Sequence, residues 1–290
     1  MRGEVLLLRT LLLCLFLSAA VGKTERCNPR DKAALFKIKE SFGNPYLLAS
    51  WHPDADCCTS WYQVECDPTT NRITALTVFA GELSGQLPSA IGDLPFLQKL
   101  IFRKLTNVTG PVQPAIANLK NLTFLDLSFN SLTGSIPSEL AELPNLDALH
   151  LDRNNLTGPI PASFGSFKGK FPSLYLSHNR LSGGIPPSLA NYNNDFAIDL
   201  SRNQLQGNLF EFDFSKVAVL PPNMTSLDMN HNKIYGSIPA AAVDSDLQFL
   251  NVSYNRLCGK IPTGGQLQSF DSSAYFHNRC LCGAPLESCK

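Results

Sequence analysis

The sequence predicts an α/β solenoid in which short coils stack on one another, and three observations support it. Spaced leucines, one asparagine, one glycine and an Ile-Pro pair stand together in LTFLDLSFNSLTGSIPSELAELPN, residues 122–145. The same landmarks recur about every 24 residues. Cysteines gather at both ends of the repeat region. This period belongs to the leucine-rich repeat class, so we expect a right-handed superhelix with a parallel concave β-sheet and disulfide-bonded N- and C-terminal caps.

The first 22 residues predict an export signal. MRGEVLLLRTLLLCLFLSAAVG has basic residues near its start, then an apolar run, then small residues, which is typical of a secretory signal peptide. An N-terminal membrane anchor is the alternative, but the apolar run is shorter than the ~20 residues that a span needs. Removing Arg2, Arg9 and Glu4 with this segment turns the balance of 24 basic and 24 acidic residues into a net charge of −1. Nothing in that charge indicates a nucleic-acid partner.

Residues 23–72 are predicted to cap the first coil. CNPRDKAALFKIKESFGNP indicates a short amphipathic helix with Leu35, Phe36, Ile38 and Phe42 on its apolar side. An even number of cysteines in an exported chain argues for disulfides. Zinc is disfavoured because no histidine stands at ligand spacing beside them, while spacing leaves the connectivity within each cluster open. The eight cysteines after the signal are Cys27, Cys57, Cys58, Cys66, Cys258, Cys280, Cys282 and Cys289.

Residues 73–262 hold about eight repeats of ~24 residues. Leu125 and Leu127 point to one side of a strand and Asp126 to the other, because side chains alternate, so the leucines enter the core. Asn130 follows at a turn, where its carboxamide can satisfy buried backbone groups of neighbouring coils. The turn asparagines are Asn130, Asn154, Asn179, Asn203, Asn232 and Asn255, separated by 24, 25, 24, 29 and 23 residues.

Two further segments complete the chain. The stretch GNLFEFDFSKVAVLPPN, between Asn203 and Asn232, lacks the Gly-x-Ile-Pro signature and is longer than its neighbours, so it predicts either a degenerate coil or a loop that contacts a partner. Residues 263–290, with Phe270, Tyr275 and Phe276, are the predicted C-terminal cap.

The motifs argue for binding and against catalysis. The sequence contains no G-x-S-x-G elbow, no H-E-x-x-H zinc helix and no phosphate-binding glycine loop. An open, solvated concave sheet is a poor place to tune a general acid. Its exposed positions mix aromatic, acidic and basic side chains, as recognition surfaces do, although free drift of exposed positions could explain any single one. The predicted partner-binding residues are Asp126, His150, Asp152, Arg153, Tyr175, His178, Asp199, Arg202 and Asp228.

Five N-x-S/T sequons predict N-glycosylation, since an exported chain passes through the glycosylation machinery. They stand at Asn107, Asn121, Asn155, Asn223 and Asn251.

The LTGxIPxxL coils, the DCCTSWYQVECD block and the tail LCGKIPTGGQLQSFDSSAYFHNRCLCGAPLESC together resemble the plant polygalacturonase-inhibiting protein family. The resemblance covers residues 27–290. It implies an apoplastic, cell-wall-associated, monomeric protein that binds fungal endopolygalacturonases through its concave sheet and protects pectin. It also implies the disulfides Cys27–Cys57, Cys58–Cys66, Cys258–Cys280 and Cys282–Cys289.

The resemblance further implies roles for particular side chains. Asp126, Asp152 and Asp199 match the acidic concave contacts of the family, and Arg180, Lys233 and Arg256 resemble the basic residues that hold de-esterified pectin, although Gln204 interrupts that stripe. Family members typically carry about ten repeats, so this chain is expected to lack coils near residues 107–121 and 210–223.

Two other functions remain as alternatives. An extracellular leucine-rich module could bind a peptide or a receptor ectodomain in developmental signalling without inhibiting an enzyme. A structural role in the wall through pectin binding alone is the third possibility. Neither alternative needs a cofactor or a metal ion.

Overall fold

A computed structural model describes residues 26–191, 195–208 and 223–290. The predicted signal peptide and residues 209–222 of the degenerate stretch lie outside the described residues. In the described part of the chain, a concave sheet has nine strands; the first pairs antiparallel with the second, and the other eight run parallel. Its strands are Val64–Cys66, Ile73–Phe79, Lys99–Arg103, Phe124–Asp126, Ala148–His150, Ser173–Tyr175, Phe196–Asp199, Met224–Asp228 and Phe249–Asn251.

In the described residues, most coils continue through a second short strand and a 3-10 helix before the chain returns to the concave sheet. The second strands are Gly85–Gln86, Val108–Gly110, Ser131–Leu132, Thr157–Gly158, Arg180–Leu181, Gln206–Asn208, Lys233–Gly236, Arg256–Lys260 and Cys280–Cys282. The 3-10 helices are Tyr46–Leu48, Ser89–Asp93, Pro114–Asn118, Ser138–Glu142, Ala162–Ser166, Pro187–Asn191, Ala240–Asp244 and Ser272–Ala274. This architecture confirms the predicted leucine-rich repeat solenoid.

The core runs through the stack without interruption, from the N-terminal cap to Tyr275. Leu125 and Leu127 have no exposed surface, as the strand alternation predicts. Leu140 closes the far side of the same coil from its 3-10 helix and is also fully buried. A single coil of this length cannot bury its leucines alone, so neighbouring coils stabilise one another.

Asparagines form a hydrogen-bonded ladder between coils. The Oδ1 atom of Asn179 accepts from Leu156 N at 3.0 Å, and its Nδ2 donates to the carbonyls of Leu151 and Leu176 at 2.9 and 3.1 Å. These backbone groups are buried, so the carboxamide supplies bonds that water cannot supply. The ladder asparagines are Asn130, Asn154, Asn179, Asn203, Asn232, Asn255 and Asn278, the last of which belongs to the C-terminal cap.

The N-terminal cap contains the predicted helix, Pro29–Ser41. Asn28 begins it by accepting from Arg30 N and Asp31 N, and Pro29 occupies the first turn, where a missing N–H costs nothing. Leu35 and Ile38 are fully buried, and Phe36 packs edge-on against Trp61 at 5.1 Å. The helix therefore covers the open end of the first coil.

A buried ion pair fastens this helix to the first long strand. Asp31, only 1% exposed, accepts from Arg72 Nε at 2.9 Å, from Arg72 Nη2 at 2.7 Å and from Ile73 N at 3.0 Å. The bond to Asp31 raises the pKa of Arg72. Because its hydrogen bonds come from both a guanidinium and the backbone, the carboxylate is well compensated despite its burial.

Four disulfides staple the two caps. They join Cys27 to Cys57, Cys58 to Cys66, Cys258 to Cys280 and Cys282 to Cys289, which are the pairs that the resemblance implies. The sulfur atoms of Cys27, Cys57 and Cys58 lie close enough together to bind a metal ion, but all three are in disulfides.

The C-terminal cap differs from the prediction in one aromatic residue. Tyr275 is fully buried, its hydroxyl donates to Leu267 O at 2.7 Å, and burial raises its pKa to about 12. Phe270 packs against the core while half-buried. Phe276 was expected to help close the end of the core, but it is 45% exposed, and the preceding Tyr275 fills the interior instead.

Candidate partner-binding face

A row of side chains follows the middle of the concave sheet, between the two core positions of each strand. The parallel register sets Asp126 beside His150, His150 beside Tyr175, and Tyr175 beside Asp199. Neighbouring strands lie about 4.8 Å apart, so these side chains form one continuous surface. We call this set the central row; its members are Thr77, Ile101, Asp126, His150, Tyr175, Asp199, Asp228 and Asn251.

Backbone hydrogen bonds orient the acidic members of the central row. Oδ1 of Asp199 accepts from Ser201 N at 3.0 Å, and Oδ1 of Asp228 accepts from Asn230 N at 3.0 Å. Asn251 makes the equivalent bond with Ser253 N at 3.1 Å. This local turn fixes the orientation of each side chain through Oδ1. The Oδ2 atoms of Asp199 and Asp228 take no part in it, so each carboxylate has an oxygen that can accept a hydrogen bond from a partner.

Asp126 is the exception, and the prediction that it is an exposed contact is wrong. The residue is 3% exposed. Its Oδ1 accepts from Ser128 N at 2.9 Å and Ser128 Oγ at 2.6 Å, and its Oδ2 lies 3.6 Å from Nη1 of Arg103. Arg103, one coil earlier and partly exposed, covers it. Asp126 therefore positions Arg103 and contributes negative potential from beneath the surface.

His150 and Tyr175 form the aromatic centre of the face. Their rings stack at 4.2 Å, and Phe124 lies 5.2 Å from the imidazole. Burial lowers the pKa of His150, and the charge of Arg103 lowers it further against the opposing effect of Asp126. The imidazole is therefore neutral near pH 7, and its Nδ1 lies 3.9 Å from Oδ1 of Asp152.

Asp152 carries the most strongly perturbed carboxylate of the face. Its side chain is 16% exposed. Its pKa is raised to about 6, mainly by burial and then by the charge of Asp126, while Arg103 acts in the opposite direction. Burial also raises the pKa of Asp228, with Asp199 contributing. A poorly solvated carboxylate gains more than a solvated one when a partner supplies a cation.

The replacement Asp152→Asn is expected to stabilise the protein at pH 8 and to have little effect at pH 4. The folded pKa of about 6 exceeds the ordinary 3.8, so the ionised carboxylate opposes folding above pH 6, and this effect disappears below about 3.8. At most about 3 kcal/mol is involved, since one pKa unit equals about 1.4 kcal/mol. Urea unfolding of both proteins, with disulfides intact, measures the difference. An equal difference at pH 4 and pH 8 would contradict the assignment.

A second row follows the edge of the concave sheet, at the residue before each ladder asparagine and, in the first two coils, before Gly81 and Leu105. Every member has a positive φ, between 48° and 57°. This left-handed conformation is unfavourable for residues other than glycine, but the next coil holds it, as when Arg153 N donates to Ser177 O at 2.9 Å and His178 N to Ser201 O at 2.9 Å. We call this set the edge row; its members are Ala80, Lys104, Phe129, Arg153, His178, Arg202, His231, Tyr254 and His277.

The edge row is cationic and aromatic. Arg153 lies over the ring of Phe129 at 4.9 Å, and His231 stacks on Tyr254 at 4.1 Å. Burial lowers the pKa of His178, and the charges of Arg153 and Arg202 lower it further. The face therefore pairs a mainly acidic and aromatic central row with a basic edge row. The predicted residues Asp152, Arg153, His178 and Arg202 lie beside the central row in this arrangement.

The predicted pectin-binding residues lie elsewhere. Arg180, Lys233 and Arg256 are exposed and begin second strands outside the concave sheet. The register sets Arg256 opposite Tyr235 and not opposite Lys233. Lys233 and Arg256 are therefore not direct neighbours across the second strands.

The sequons differ in position. Asn107 and Asn121 are exposed, and Nδ2 of Asn121 donates to Pro95 O at 2.8 Å; Asn155 and Asn223 are half-buried. Asn251 belongs to the central row and pairs with Asp228 across the sheet. A glycan on Asn251 would therefore stand on the concave face.

Sequence reasoning missed the contribution of the C-terminal cap to this face. Asn278 continues the ladder, since its Oδ1 accepts from Leu257 N at 3.0 Å and its Nδ2 donates to Val252 O at 3.1 Å. His277 continues the edge row and stacks on Tyr254 at 4.2 Å. The 23-residue distance from Asn255 to Asn278 is the signal that could have revealed this extra turn.

The comparisons with known proteins agree with this architecture. The chain matches the families described as Leucine rich repeat N-terminal domain over residues 28–67, Leucine rich repeat over 112–156, and Leucine Rich Repeat over 173–192 and 246–266. In the part of the chain that the structure describes, every helix is too short or too polar to cross a membrane.

Two relatives and one solved structure are similar over most of their length. The chain is 55% identical to a Polygalacturonase inhibitor from Vitis vinifera, over 92% of each chain, and 55% identical to a Polygalacturonase inhibitor from Pyrus communis, over 97% of each. A plant ice-binding protein of known crystal structure is 45% identical with a TM-score of 0.63, covering 91% of this chain and 99% of that one. The two inhibitor alignments span 309 and 323 positions, more than the 290 residues of this chain, so this chain is shorter than both relatives in the aligned region.

Proposed function

Because the chain belongs to the polygalacturonase inhibitor family of leucine-rich repeat proteins, we propose that its concave face binds and inhibits fungal endopolygalacturonases. The observation that carries the proposal is a group of three carboxylates on a rigid sheet: backbone N–H groups orient Asp199 and Asp228, and burial raises the pKa of Asp152 and of Asp228. The inhibitor relatives are also more similar in sequence than the ice-binding protein, at 55% against 45% identity.

Charge complementarity explains how such a face would inhibit. An enzyme that cleaves a polyanion needs a basic cleft, and carboxylates held by a rigid sheet can pair with that cleft. A protein seated in the cleft excludes the polysaccharide. Oriented side chains lose little conformational freedom on binding, which favours affinity. The protein then acts by occupying the active site of another molecule and catalyses no reaction itself.

The place of action follows from the same proposal. The N-terminal sequence is typical of a secretory signal, and the four disulfides suit an oxidising compartment. We place the mature protein in the plant cell wall, as a monomer, where the fungal enzymes attack pectin. Its role is then defence of the wall.

Inhibition of several purified fungal endopolygalacturonases tests the proposal. The release of reducing ends from polygalacturonate should fall in the presence of the protein for at least one enzyme, and added salt should weaken the effect because charge pairs are screened. No inhibition across a broad panel would overturn it. Capture of a receptor ectodomain from plant membranes, with no enzyme bound, would favour the signalling alternative.

We also propose that pectin itself binds the protein, through Arg180, Lys233 and Arg256, which are all exposed. Their alanine variant should lose salt-sensitive retention on polygalacturonate. A variant with alanine at Lys104, Arg153 and Arg202 of the edge row is the matched control, since it removes the same number of charges. Loss of retention in the control variant alone would show that pectin binds the edge row and not Arg180, Lys233 and Arg256.

A further inference from the structure

The C-terminal cap extends the concave face by one more turn. Val252 N donates to Ala274 O at 2.8 Å, and Tyr254 N donates to Phe276 O at 2.9 Å, in the pattern that joins the preceding coils. Cys258 and Cys280 pair across the second strands. The surface available to a partner therefore continues past the last strand of the concave sheet.

Three large aromatic side chains are exposed on the last strand of the concave sheet and the residues that follow it. Phe249 is 47% exposed, Tyr254 45% and Phe276 45%. Phe249 shares the outward side of its strand with Asn251, because residues two apart point the same way. Tyr254 stacks on His277 at 4.2 Å, and the ring of Phe276 meets His277 edge-on at 6.4 Å. We call Phe249, Tyr254 and Phe276 the aromatic end.

The aromatic end adjoins the carboxylates that carry the proposed function. Phe249 belongs to the strand beside Asp228, since Asp228 and Asn251 are direct neighbours across the sheet. A macromolecule that covers Asp152, Asp199 and Asp228 needs only one or two more strand spacings, each about 4.8 Å, to reach it. The surface changes there from acidic to apolar and aromatic, with the His277 ring beside it.

We propose that the aromatic end is a second anchor for the inhibited enzyme and that it receives an apolar side chain from a loop beside the basic cleft. This inference rests on the proposed function. Buried aromatic anchors dominate the energy of many interfaces, whereas exposed charge pairs mainly steer association. The carboxylates would orient the enzyme, and the aromatic end would slow its dissociation.

Serine replacements test the proposal on an enzyme that the wild-type protein inhibits. Phe249→Ser and Phe276→Ser should each raise Kd about 5- to 10-fold, and the double variant at least about 30-fold, mostly through faster dissociation. Tyr235→Ser is the matched control: Tyr235 is 48% exposed but lies on a second strand, so its replacement should change Kd less than twofold. An unchanged thermal midpoint in each variant shows that the fold is intact. If Phe276→Ser lowers the midpoint, Phe276→Leu is used in its place.

The background Asn251→Gln removes any glycan that would cover the aromatic end. Wild-type affinity in the double variant, together with loss of binding in Asp152→Lys, would overturn the second anchor and leave the proposed function standing. Absence of binding to every enzyme by the wild-type protein would overturn both. A dimer that the double variant converts to a monomer, with enzyme affinity unchanged, would assign the surface to a second copy of the chain.

Discussion

Asn179→Ala is expected to lower the free energy of unfolding by about 3 to 5 kcal/mol. The carboxamide of Asn179 satisfies the buried N–H of Leu156 and the carbonyls of Leu151 and Leu176. Alanine leaves the Leu156 N–H without a partner in a region that water does not reach, which costs about 1 to 3 kcal/mol. It also removes one of two bonds at each carbonyl, at about 0.5 to 1.5 kcal/mol each, since Leu151 O still accepts from Asn154 Nδ2 and Leu176 O from Asn203 Nδ2. The effect is large because one side chain links two coils in the middle of the stack.

Urea unfolding monitored by circular dichroism measures this loss. Asn145→Ala is the control, because exposed Asn145 makes a comparable bond, Nδ2 to Lys120 O at 2.9 Å, and should cost less than about 1 kcal/mol. Both tryptophans, Trp51 and Trp61, lie in the N-terminal cap, so fluorescence reports that end alone. Separate transitions by the two probes would show that the weakened centre uncouples the stack. Equal losses in both variants would contradict a ladder that stabilises the stack.

Asp152→Lys is expected to weaken inhibition of a susceptible polygalacturonase by about 100-fold or more. The carboxylate sits among Asp126, Asp199 and His150, where a basic group of the enzyme would gain most from pairing. Lysine replaces this attraction with a repulsion, and like charges at an interface cost several kcal/mol, of which about 2.7 kcal/mol already equals 100-fold. The inhibition constant, measured at low and moderate salt, gives the result.

Glu139→Lys is the control with the same change in net charge. Glu139 is exposed on a 3-10 helix away from the concave sheet, so its replacement should change inhibition less than about twofold. Equal losses in both variants would point to a general effect of net charge. Full inhibition by Asp152→Lys would exclude Asp152 and its surroundings from the proposed interface.

Local sequence pattern predicted most of the interior correctly. Strand alternation placed Leu125 and Leu127 in the core. The amphipathic pattern placed Leu35 and Ile38 on the buried side of the N-terminal helix, Pro29–Ser41. These successes share a cause, since burial there depends on the period of the local element and on the shape of one repeat. The ladder position of Asn179 was predictable for the same reason.

Burial on the concave face was less predictable, because it depends on residues one coil away. Asp126 alternates outward as expected, yet Arg103 and Ser128 cover it. The pKa of Asp152 depends on how closely Asp126 and Arg103 approach, which residue spacing does not reveal. The turn at Asn278 was hidden because the cap has lost the leucine pattern but has kept the hydrogen bonds.

The repeat period, the inward leucines, the ladder asparagines and the two cysteine clusters were determined by the sequence alone, because each reflects bonds within one coil or between identical positions of adjacent coils. The tertiary structure alone decided which concave carboxylates are accessible, how strongly they hold protons, and that Phe276 is exposed at the end of the face. Those properties depend on the solvent and charges around a side chain, and residues about 25 positions apart in the chain set them when the coils stack.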